Sequence, residues 1–287
     1  MTTATAMDTE AFKAATRKQW DEAAQSWNDH TPGIRAWLRS ATDAMLDMAL
    51  VRPGARVLDV AAGAGDQTLD IAERVGPAGA VLATDLSPAI LELAQANARR
   101  AGFGNVRTLA ADGEHLDVEY AAFDAAVCRL GLMLFPDPLQ GLREMHRALK
   151  PGAGVCTMVF AGPETNPCVA ILMSTALRHA GLAPRDPWQP GGLLSLGKPG
   201  LVDDLYRRAG FRDIATTRID APFRLPSVRD YLDFIRSSAS PIREILRGLD
   251  AGGVAAAWAD IEERLQQFDT GASWEGPNEL LLTAARR

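Results

Sequence analysis

Cysteine, positive charge and long apolar runs are all scarce in this 287-residue sequence. Its three cysteines, Cys128, Cys156 and Cys168, form no Cys-x-x-Cys pair and are too few for a disulfide framework, which favours a reducing compartment. The formal net charge is −6, and no run of Lys or Arg could neutralise a line of phosphates. Nucleic acid is therefore a poor candidate for a binding partner.

Segments that would enter or cross a membrane are also missing from the sequence. We find no stretch of about 18 uninterrupted apolar residues, which a transmembrane helix would need. Residues 1–10 are polar and rich in Thr, without the apolar stretch of a signal peptide. We therefore expect a cytoplasmic protein without membrane insertion, and the sequence leaves both a monomer and a homodimer open.

Short apolar runs alternate with helical segments through the middle of the chain. The predicted strands cover residues 56–61, 80–85, 105–110, 123–129 and 154–161, and further strands are predicted over 214–223 and 279–285. Runs such as Val57-Leu58-Asp59-Val60, apolar almost throughout, are typical of parallel strands that are buried on both faces. The pattern predicts an α/β fold with a doubly wound sheet. Two N-terminal helical segments should be separated by a break at Thr31-Pro32-Gly33.

The first predicted strand runs into a loop of small residues that contains Gly63 and Gly65 and leads to a helix. Glycine allows a ligand to approach such a backbone closely, and the amides at the helix N-terminus suit an anionic group. Ligands of doubly wound sheets bind beyond the carboxyl ends of the strands. Taken alone, the loop fits a tight strand-to-helix turn equally well.

Two aspartates follow the next predicted strands. Asp85 ends the second strand, 20 residues after Gly65, where a carboxylate can accept hydrogen bonds from both hydroxyls of a ribose. Asp112 follows the third strand and could accept from an adenine amino group, while the Gly113 amide donates to the ring. Each aspartate alone is more often a turn or cap residue. Together they predict an adenosine pocket.

A dinucleotide enzyme uses a similar strand, loop and ribose carboxylate, so an NAD(P)-dependent oxidoreductase is an alternative. Its fingerprint has a third glycine where this sequence has Thr68. Asp59, inside the first strand, would also face a pyrophosphate unfavourably, whereas it suits the positive end of a zwitterionic amino acid. These two positions favour a cofactor that joins adenosine to an amino acid.

The ordered motifs are Leu58-Asp59-Val60-Ala61-Ala62-Gly63-Ala64-Gly65-Asp66, Ala83-Thr84-Asp85-Leu86-Ser87, Ala111-Asp112-Gly113-Glu114, Phe123-Asp124, Phe135-Pro136-Asp137-Pro138 and Leu149-Lys150-Pro151-Gly152. Over about residues 51–160 they resemble the class I S-adenosylmethionine-dependent methyltransferases, and within them the group similar to the ubiquinone/menaquinone-biosynthesis C-methyltransferases. The resemblance implies a Rossmann-like, seven-stranded, mostly parallel sheet that ends in a C-terminal antiparallel hairpin. It also implies S-adenosyl-L-methionine as the cofactor.

The resemblance further implies roles for individual residues. The loop of residues 59–65 would hold the methionine part, with Asp59, Ala61, Gly63 and Gly65 as its binding positions. The remaining positions implied are Asp85 at the ribose, Leu86 on one adenine face, and Asp112 with Gly113 at the adenine edge. Ala61 stands where the class most often has glycine, although the quinone-type group accepts alanine.

We expect one methyltransferase domain over residues 1–287 with six consecutive parts. These are a helical arm (1–50), a cofactor-binding core (51–161), a lid-like insertion (162–196), a core helix and strand (197–225), a helical cap insertion (226–272) and a closing strand (273–287). The arm, the insertion and the cap are least readable, and they would contact the acceptor.

Methyl transfer from a sulfonium is an in-line displacement, so the protein chiefly aligns the reacting atoms and excludes water. We expect an O, N or C nucleophile of a small metabolite as the acceptor, and no metal site. Tentative catalytic residues are Arg129, at the end of the fourth strand and also near the cofactor, and His30 and His179, as general bases in the arm and the insertion. A catalytically silent adenosine-ligand-binding protein is a further alternative.

Overall fold

The computed structural model describes residues 8–238 and 240–287; residues 1–7 of the predicted arm lie outside the described residues. Seven strands form the main sheet in the order β3-β2-β1-β4-β5-β9-β6. Their bounds are β1 (Arg56–Val60), β2 (Ala80–Asp85), β3 (Val106–Ala110), β4 (Phe123–Arg129), β5 (Leu149–Phe160), β6 (Arg212–Asp220) and β9 (Glu279–Arg286). A separate pair consists of β7 (Phe223–Leu225) and β8 (Trp274–Gly276).

The helices that surround the sheet are α1 (Thr9–Asp29), α2 (Thr31–Met48), α3 (Asp66–Val75), α4 (Pro88–Arg100), α5 (Pro138–Ala148), α6 (Pro167–His179) and α7 (Leu201–Arg208). A further group comprises α8 (Val228–Ser238), α9 (Ser240–Leu246) and α10 (Ala251–Leu265). Short 3₁₀ turns occupy Leu132–Leu134 and Gln266–Phe268. In the part of the chain described here, we find no helix with both the length and the apolar character needed to cross a membrane.

The predicted Rossmann-like sheet is confirmed. The strands β1 to β5 pair in parallel, whereas β9 lies antiparallel between β5 and β6 and supplies the C-terminal antiparallel pair. The inner strands are buried on both faces, because α2 and α3 pack together over the sheet and α5 and α7 do the same. This burial explains why their sequences are apolar almost throughout.

Two local predictions differ from the structure in their bounds. The two N-terminal helices are separated as predicted, but the junction is at His30 and not at Thr31-Pro32-Gly33, because Thr31 begins α2 and proline is tolerated in the first turn of a helix. The strand predicted over 214–223 is divided, with β6 ending at Asp220 and β7 beginning at Phe223. The sequence did not predict β8, the short strand with which β7 pairs.

A second hydrophobic core lies in the C-terminal helices. Helix α6 packs against α9 and α10, and α8 contacts both α9 and α10. Tyr231 and Trp274 are fully buried there and stack with ring centroids 4.7 Å apart. We call this unit, α6 with α8 to α10 and the pair β7–β8, the cap.

Candidate cofactor and acceptor site

Four neighbouring parallel strands end at the same edge of the sheet. In the register, Val60 of β1 pairs with Thr84 of β2 and with Cys128 of β4, and Asp85 pairs with Ala110 at the end of β3. The loop after β1 and the residues that end or follow β2, β3 and β4 are therefore adjacent, although they are far apart in sequence. This is the edge at which doubly wound sheets bind ligands.

The loop after β1 has an unusual backbone. Ala61, Gly63 and Gly65 all adopt positive φ angles, of 55°, 57° and 86°. A Cβ on Gly65 would lie 2.9 Å from the Cβ of Ala94, so glycine lets the loop approach α4. Ala61 is accommodated because Gly131 faces it, where an added Cβ would lie only 2.3 Å from the Ala61 Cβ. Gly131, in the loop after β4, thus leaves room for Ala61, the residue that departs from the class pattern.

Gly63 presents an open backbone face within this loop. A Cβ built on it would meet only the indole Nε1 of Trp27, at 3.5 Å, among the described residues. Trp27 belongs to α1, which packs on α4, so the arm lies above the loop. Trp20 and Trp27 contact edge to face at 5.3 Å and pack around Ala64. The two tryptophans therefore act as arm packing, and Trp27 also covers Gly63.

Asp85 is held rigidly at the end of β2. Its two carboxylate oxygens accept hydrogen bonds from the backbone N–H groups of Gly63 and Ser87, each at 3.0 Å. Burial raises the pKa of Asp85, and these backbone donors oppose that shift. On α1, Asp21 accepts a hydrogen bond from the Ser87 hydroxyl at 2.5 Å. The predicted ribose carboxylate thus directly joins the glycine loop to the start of α4, with Leu86 beside it.

The loop after β3 carries an ion pair that sequence reasoning missed. The Lys13 ammonium, on α1, lies 2.7 Å from Asp112 Oδ2 and 2.6 Å from Glu114 Oε2, and Lys13 is only 8% exposed. Burial alone would lower the pKa of Lys13, but the two carboxylates raise it above its ordinary value. A Cβ on Gly113 would lie 2.3 Å from the Phe135 ring. Lys13 therefore fastens the arm to the residues predicted at the adenine edge.

A group of three buried charges lies behind the glycine loop. Asp59 accepts hydrogen bonds from the Thr68 hydroxyl at 2.6 Å and the Gln67 amide at 3.1 Å, and burial raises its pKa to about 7. Arg129 forms an ion pair with Asp66 and donates to the Thr42 hydroxyl at 3.0 Å. When Asp59 is ionised, two carboxylates and one guanidinium leave a net charge of −1.

These groups fit the predicted cofactor. When Asp59 is ionised, the excess negative charge behind the loop suits an ammonium or a sulfonium. Gly63 has no Cβ, so its backbone stays accessible beneath Trp27. Asp85 and Asp112 retain carboxylate lone pairs that hydroxyl and amino donors can use. Thr68, which distinguishes this loop from the dinucleotide fingerprint, has its own function here, because its hydroxyl holds Asp59.

The three tentative catalytic residues do not come together. His30 lies at the junction of α1 and α2, with Nδ1 2.7 Å from the Ser26 carbonyl oxygen and its ring 5.3 Å from Phe234 of α8. Among the described residues, the polar contact of His179 is with Asp260 of α10, at 2.7 Å. The guanidinium of Arg129 is occupied by Asp66 and Thr42. Only His30 borders the arm residues that cover the loop.

An aromatic wall joins the arm to the cap; it consists of Trp27, Trp37, Phe160, Phe223 and Phe234. Trp37 of α2 stacks on Phe223 with centroids 3.9 Å apart, and Phe160, at the end of β5, lies 6.5 Å away. Phe234 lies 6.1 Å from both Phe223 and Trp27. The rings come from distant segments of the sequence with no common motif, so no local pattern indicates this wall.

Known proteins match the part of this chain that contains the glycine loop and the two strand-end aspartates. The model of the ubiE/COQ5 methyltransferase family matches residues 34–174. The ubiquinone/menaquinone biosynthesis C-methyltransferase UbiE of Idiomarina loihiensis is 38% identical over 130 residues, which cover 45% of this chain and 50% of that relative. The demethylmenaquinone methyltransferase of Deinococcus radiodurans is 31% identical over 188 residues, 62% of this chain and 75% of that relative.

Solved structures agree on the fold. The YcgJ protein of Bacillus subtilis superposes with a TM-score of 0.61 at 17% sequence identity, covering 87% of this chain and 98% of its own. The chain spans about half the length of most of the curated relatives that it matches, and three quarters of the Deinococcus protein. The resemblance inferred from the motifs is confirmed, and the chain belongs to the ubiE/COQ5 methyltransferase family.

Proposed function

We propose that this chain is an S-adenosylmethionine-dependent methyltransferase that acts on an O, N or C nucleophile of a small metabolite. One observation carries the proposal: the glycine loop, with Asp59 behind it, lies at the same sheet edge as Asp85 and Asp112. A dinucleotide has no amino-acid part, so it would not need a carboxylate at the position of Asp59. Three buried free cysteines support a cytoplasmic location for the enzyme.

The cofactor would supply a methyl group that its sulfonium has already activated. The residues of this chain would then bind, orient and exclude water. The loop of residues 61–65 and Asp85 would fix the position of the cofactor, because hydrogen bonds already lock them together. Trp27 and α1 would shield the loop from solvent, and Lys13 fastens that cover to Asp112.

His30 is the preferred proton acceptor for an acceptor hydroxyl. Nδ1 lies 2.7 Å from the Ser26 carbonyl oxygen, which can only accept, so Nδ1 is the donor of that bond and Nε2 is the acceptor nitrogen of the neutral ring. Nε2 lies 3.5 Å from the Ser237 hydroxyl, on the cap side of the arm. The His30→Gln variant should lower kcat by roughly 10²-fold or more at neutral pH while the affinity for S-adenosylhomocysteine stays the same. A kcat within twofold of wild type would remove His30 from the mechanism.

The family match says less about the chemical identity of the acceptor. The names of the relatives point to ring carbons of quinone precursors, but the family match ends at residue 174, before most of the cap. The aromatic wall supports a planar, partly apolar acceptor independently of those names, because rings stack favourably on Trp37 and Phe223. We therefore include a reduced naphthoquinone with phenols and amines in the acceptor panel.

The deciding experiment is calorimetry of the purified protein with S-adenosylmethionine, S-adenosylhomocysteine and NADH in parallel. We expect micromolar binding of the first two and none of NADH. Binding of NADH alone would establish the oxidoreductase alternative. Binding of both adenosyl ligands without turnover over the acceptor panel would instead identify a catalytically silent binding protein.

A further inference from the structure

Asn278 lies at the same edge of the sheet as the cofactor residues. It immediately precedes β9, which runs antiparallel to β5, so the start of β9 lies beside the end of β5 at Phe160. The backbone is fixed there, because Ala221 N–H donates to the Asn278 carbonyl at 2.8 Å and Ala161 N–H donates to that of Glu279 at 3.0 Å. Asn278 and Glu279 thus link the start of β9 to the ends of β6 and β5.

The side chain of Asn278 is the unusual feature. The residue is only 6% exposed, and its amide Nδ2 has no hydrogen-bond partner within residues 8–238 and 240–287. Burying an amide donor without a partner is unfavourable, and native proteins rarely do so without a reason. A ligand oxygen would supply the missing acceptor.

A neighbouring asparagine shows that this amide is not needed to hold the strand. The Asn166 amide donates to the carbonyl oxygens of Gly162 and Glu279, each at 3.1 Å, and its Oδ1 accepts from the Glu279 N–H at 3.1 Å. Asn166 therefore already anchors the start of β9. In the described part of the chain, no contact occupies the Asn278 amide, which is therefore available to a ligand.

The direction of the Asn278 side chain follows from strand alternation. Thr283 contacts Thr216, whose hydroxyl bonds to Asp203 of α7, so the odd-numbered positions of β9 face α7. Successive side chains alternate across a strand, so Leu280, Leu282 and, one step earlier, Asn278 face the opposite side, which α2 covers. Asn278 therefore lies on the side of the sheet that carries Trp37.

Hydrogen bonds link Asn278 to the aromatic wall. The Trp37 indole N–H donates to the Ala221 carbonyl at 2.6 Å. The Ala221 backbone N–H in turn donates to the Asn278 carbonyl. Trp37 and its stacking partner Phe223 are each only partly buried. Ala221 thus connects the residue that carries the amide donor to Trp37 and its stacking partner. An amide donor together with aromatic rings is a combination that suits a planar ring with an oxygen substituent.

We propose that Asn278 belongs to the acceptor-binding site, where its amide donates a hydrogen bond to a hydroxyl or carbonyl oxygen of an aromatic acceptor that packs on Trp37 and Phe223. The inference rests on the proposed function and extends it by naming a residue that selects the acceptor. It assigns Asn278 to binding and not to the transfer step.

The test uses two probes of nearly the same shape, 1-naphthol and naphthalene, measured by equilibrium dialysis against the full chain saturated with S-adenosylhomocysteine. Wild type should bind 1-naphthol about tenfold more tightly than naphthalene. Both Asn278→Leu and Asn278→Ala should remove that preference, since neither side chain can form a hydrogen bond to the probe, and should change naphthalene binding less than twofold. Asn105→Leu, at the opposite edge of the sheet, serves as the control.

Calorimetry of the same variants with S-adenosylhomocysteine separates this inference from the proposed function. If wild type does not bind S-adenosylhomocysteine, the proposed function fails, and dialysis without that ligand still reports on Asn278. The inference is overturned if wild type does not prefer 1-naphthol, or if either Asn278 variant keeps the preference. It is also overturned if both variants lose the folded state, because the amide would then be structural.

Discussion

The two sides of the candidate site offer different chemistry for binding a ligand. On the cofactor side, Asp59, Asp85 and Asp112 come from consecutive strand ends and are fixed by hydrogen bonds or ion pairs. On the acceptor side, the aromatic wall is assembled from the arm, β5 and the cap. Charged groups need fixed geometry to be useful when buried, whereas stacked rings tolerate changes in position.

The family comparison covers the two sides unequally. The matched residues 34–174 contain all the strand-end carboxylates of the cofactor side. Phe223, Phe234 and Asn278 of the acceptor side lie outside that match. The family match therefore covers all of the cofactor side but only part of the acceptor side, since Trp37 and Phe160 of the aromatic wall lie within it. Variants on each side should separate the two experimentally.

The largest expected effect is on the buried charges of the cofactor side. Arg129→Met removes the only described partner cation of Asp66 and leaves that carboxylate buried and uncompensated. We expect a loss of about 3–5 kcal/mol in the free energy of unfolding, measured by urea denaturation. Arg207→Met, which breaks an exposed pair with Asp204, should cost about 1 kcal/mol at most. Equal losses in the two variants would contradict this account.

The protonation of Asp59 gives the next effect. Its folded pKa of about 7 lies above the ordinary value of 3.8, so the unfolded chain releases this proton more readily. The stabilising contribution is complete below about pH 4 and is lost as pH rises through 7, by at most about 4 kcal/mol. Asp59→Asn should flatten stability between pH 5 and 8 in urea unfolding curves. Profiles that run parallel for variant and wild type would show that another group dominates.

Removing the ribose carboxylate should weaken cofactor binding but not acceptor binding. Asp85→Ala leaves donors without a partner, which should cost about 1–3 kcal/mol of S-adenosylmethionine affinity in calorimetry. Asp124→Ala, near the opposite edge of the sheet, should leave that affinity unchanged. An unaltered affinity in the Asp85 variant would contradict its assignment.

The smallest effect is expected in the cap. His179 pairs with Asp260 between α6 and α10, and the sequence offered it as a general base. Because that pair is partly exposed, His179→Gln should cost less than about 1 kcal/mol of stability and leave kcat within twofold. A kcat reduced more than tenfold, at unchanged stability, would restore His179 to the catalytic residues.

Sequence reasoning predicted best where a local pattern carries the information. The strands β2 and β4 were predicted with their observed bounds, and the order of motifs predicted which residues meet at the carboxyl edge. It failed where a partner lies far along the chain. Lys13 pairs with Asp112, which lies 99 positions away in the sequence, and no pattern near either residue predicts the pair.

By itself, the sequence determined the parallel sheet, the glycine loop and the carboxylates at the strand ends, because apolar periodicity and turn residues act within a few positions. Only the tertiary structure decided that Lys13 closes the arm over Asp112 and that the Asn278 amide has no hydrogen-bond partner among the described residues. Each of these depends on which distant surfaces pack together, and packing is set by the shape and charge of the whole molecule.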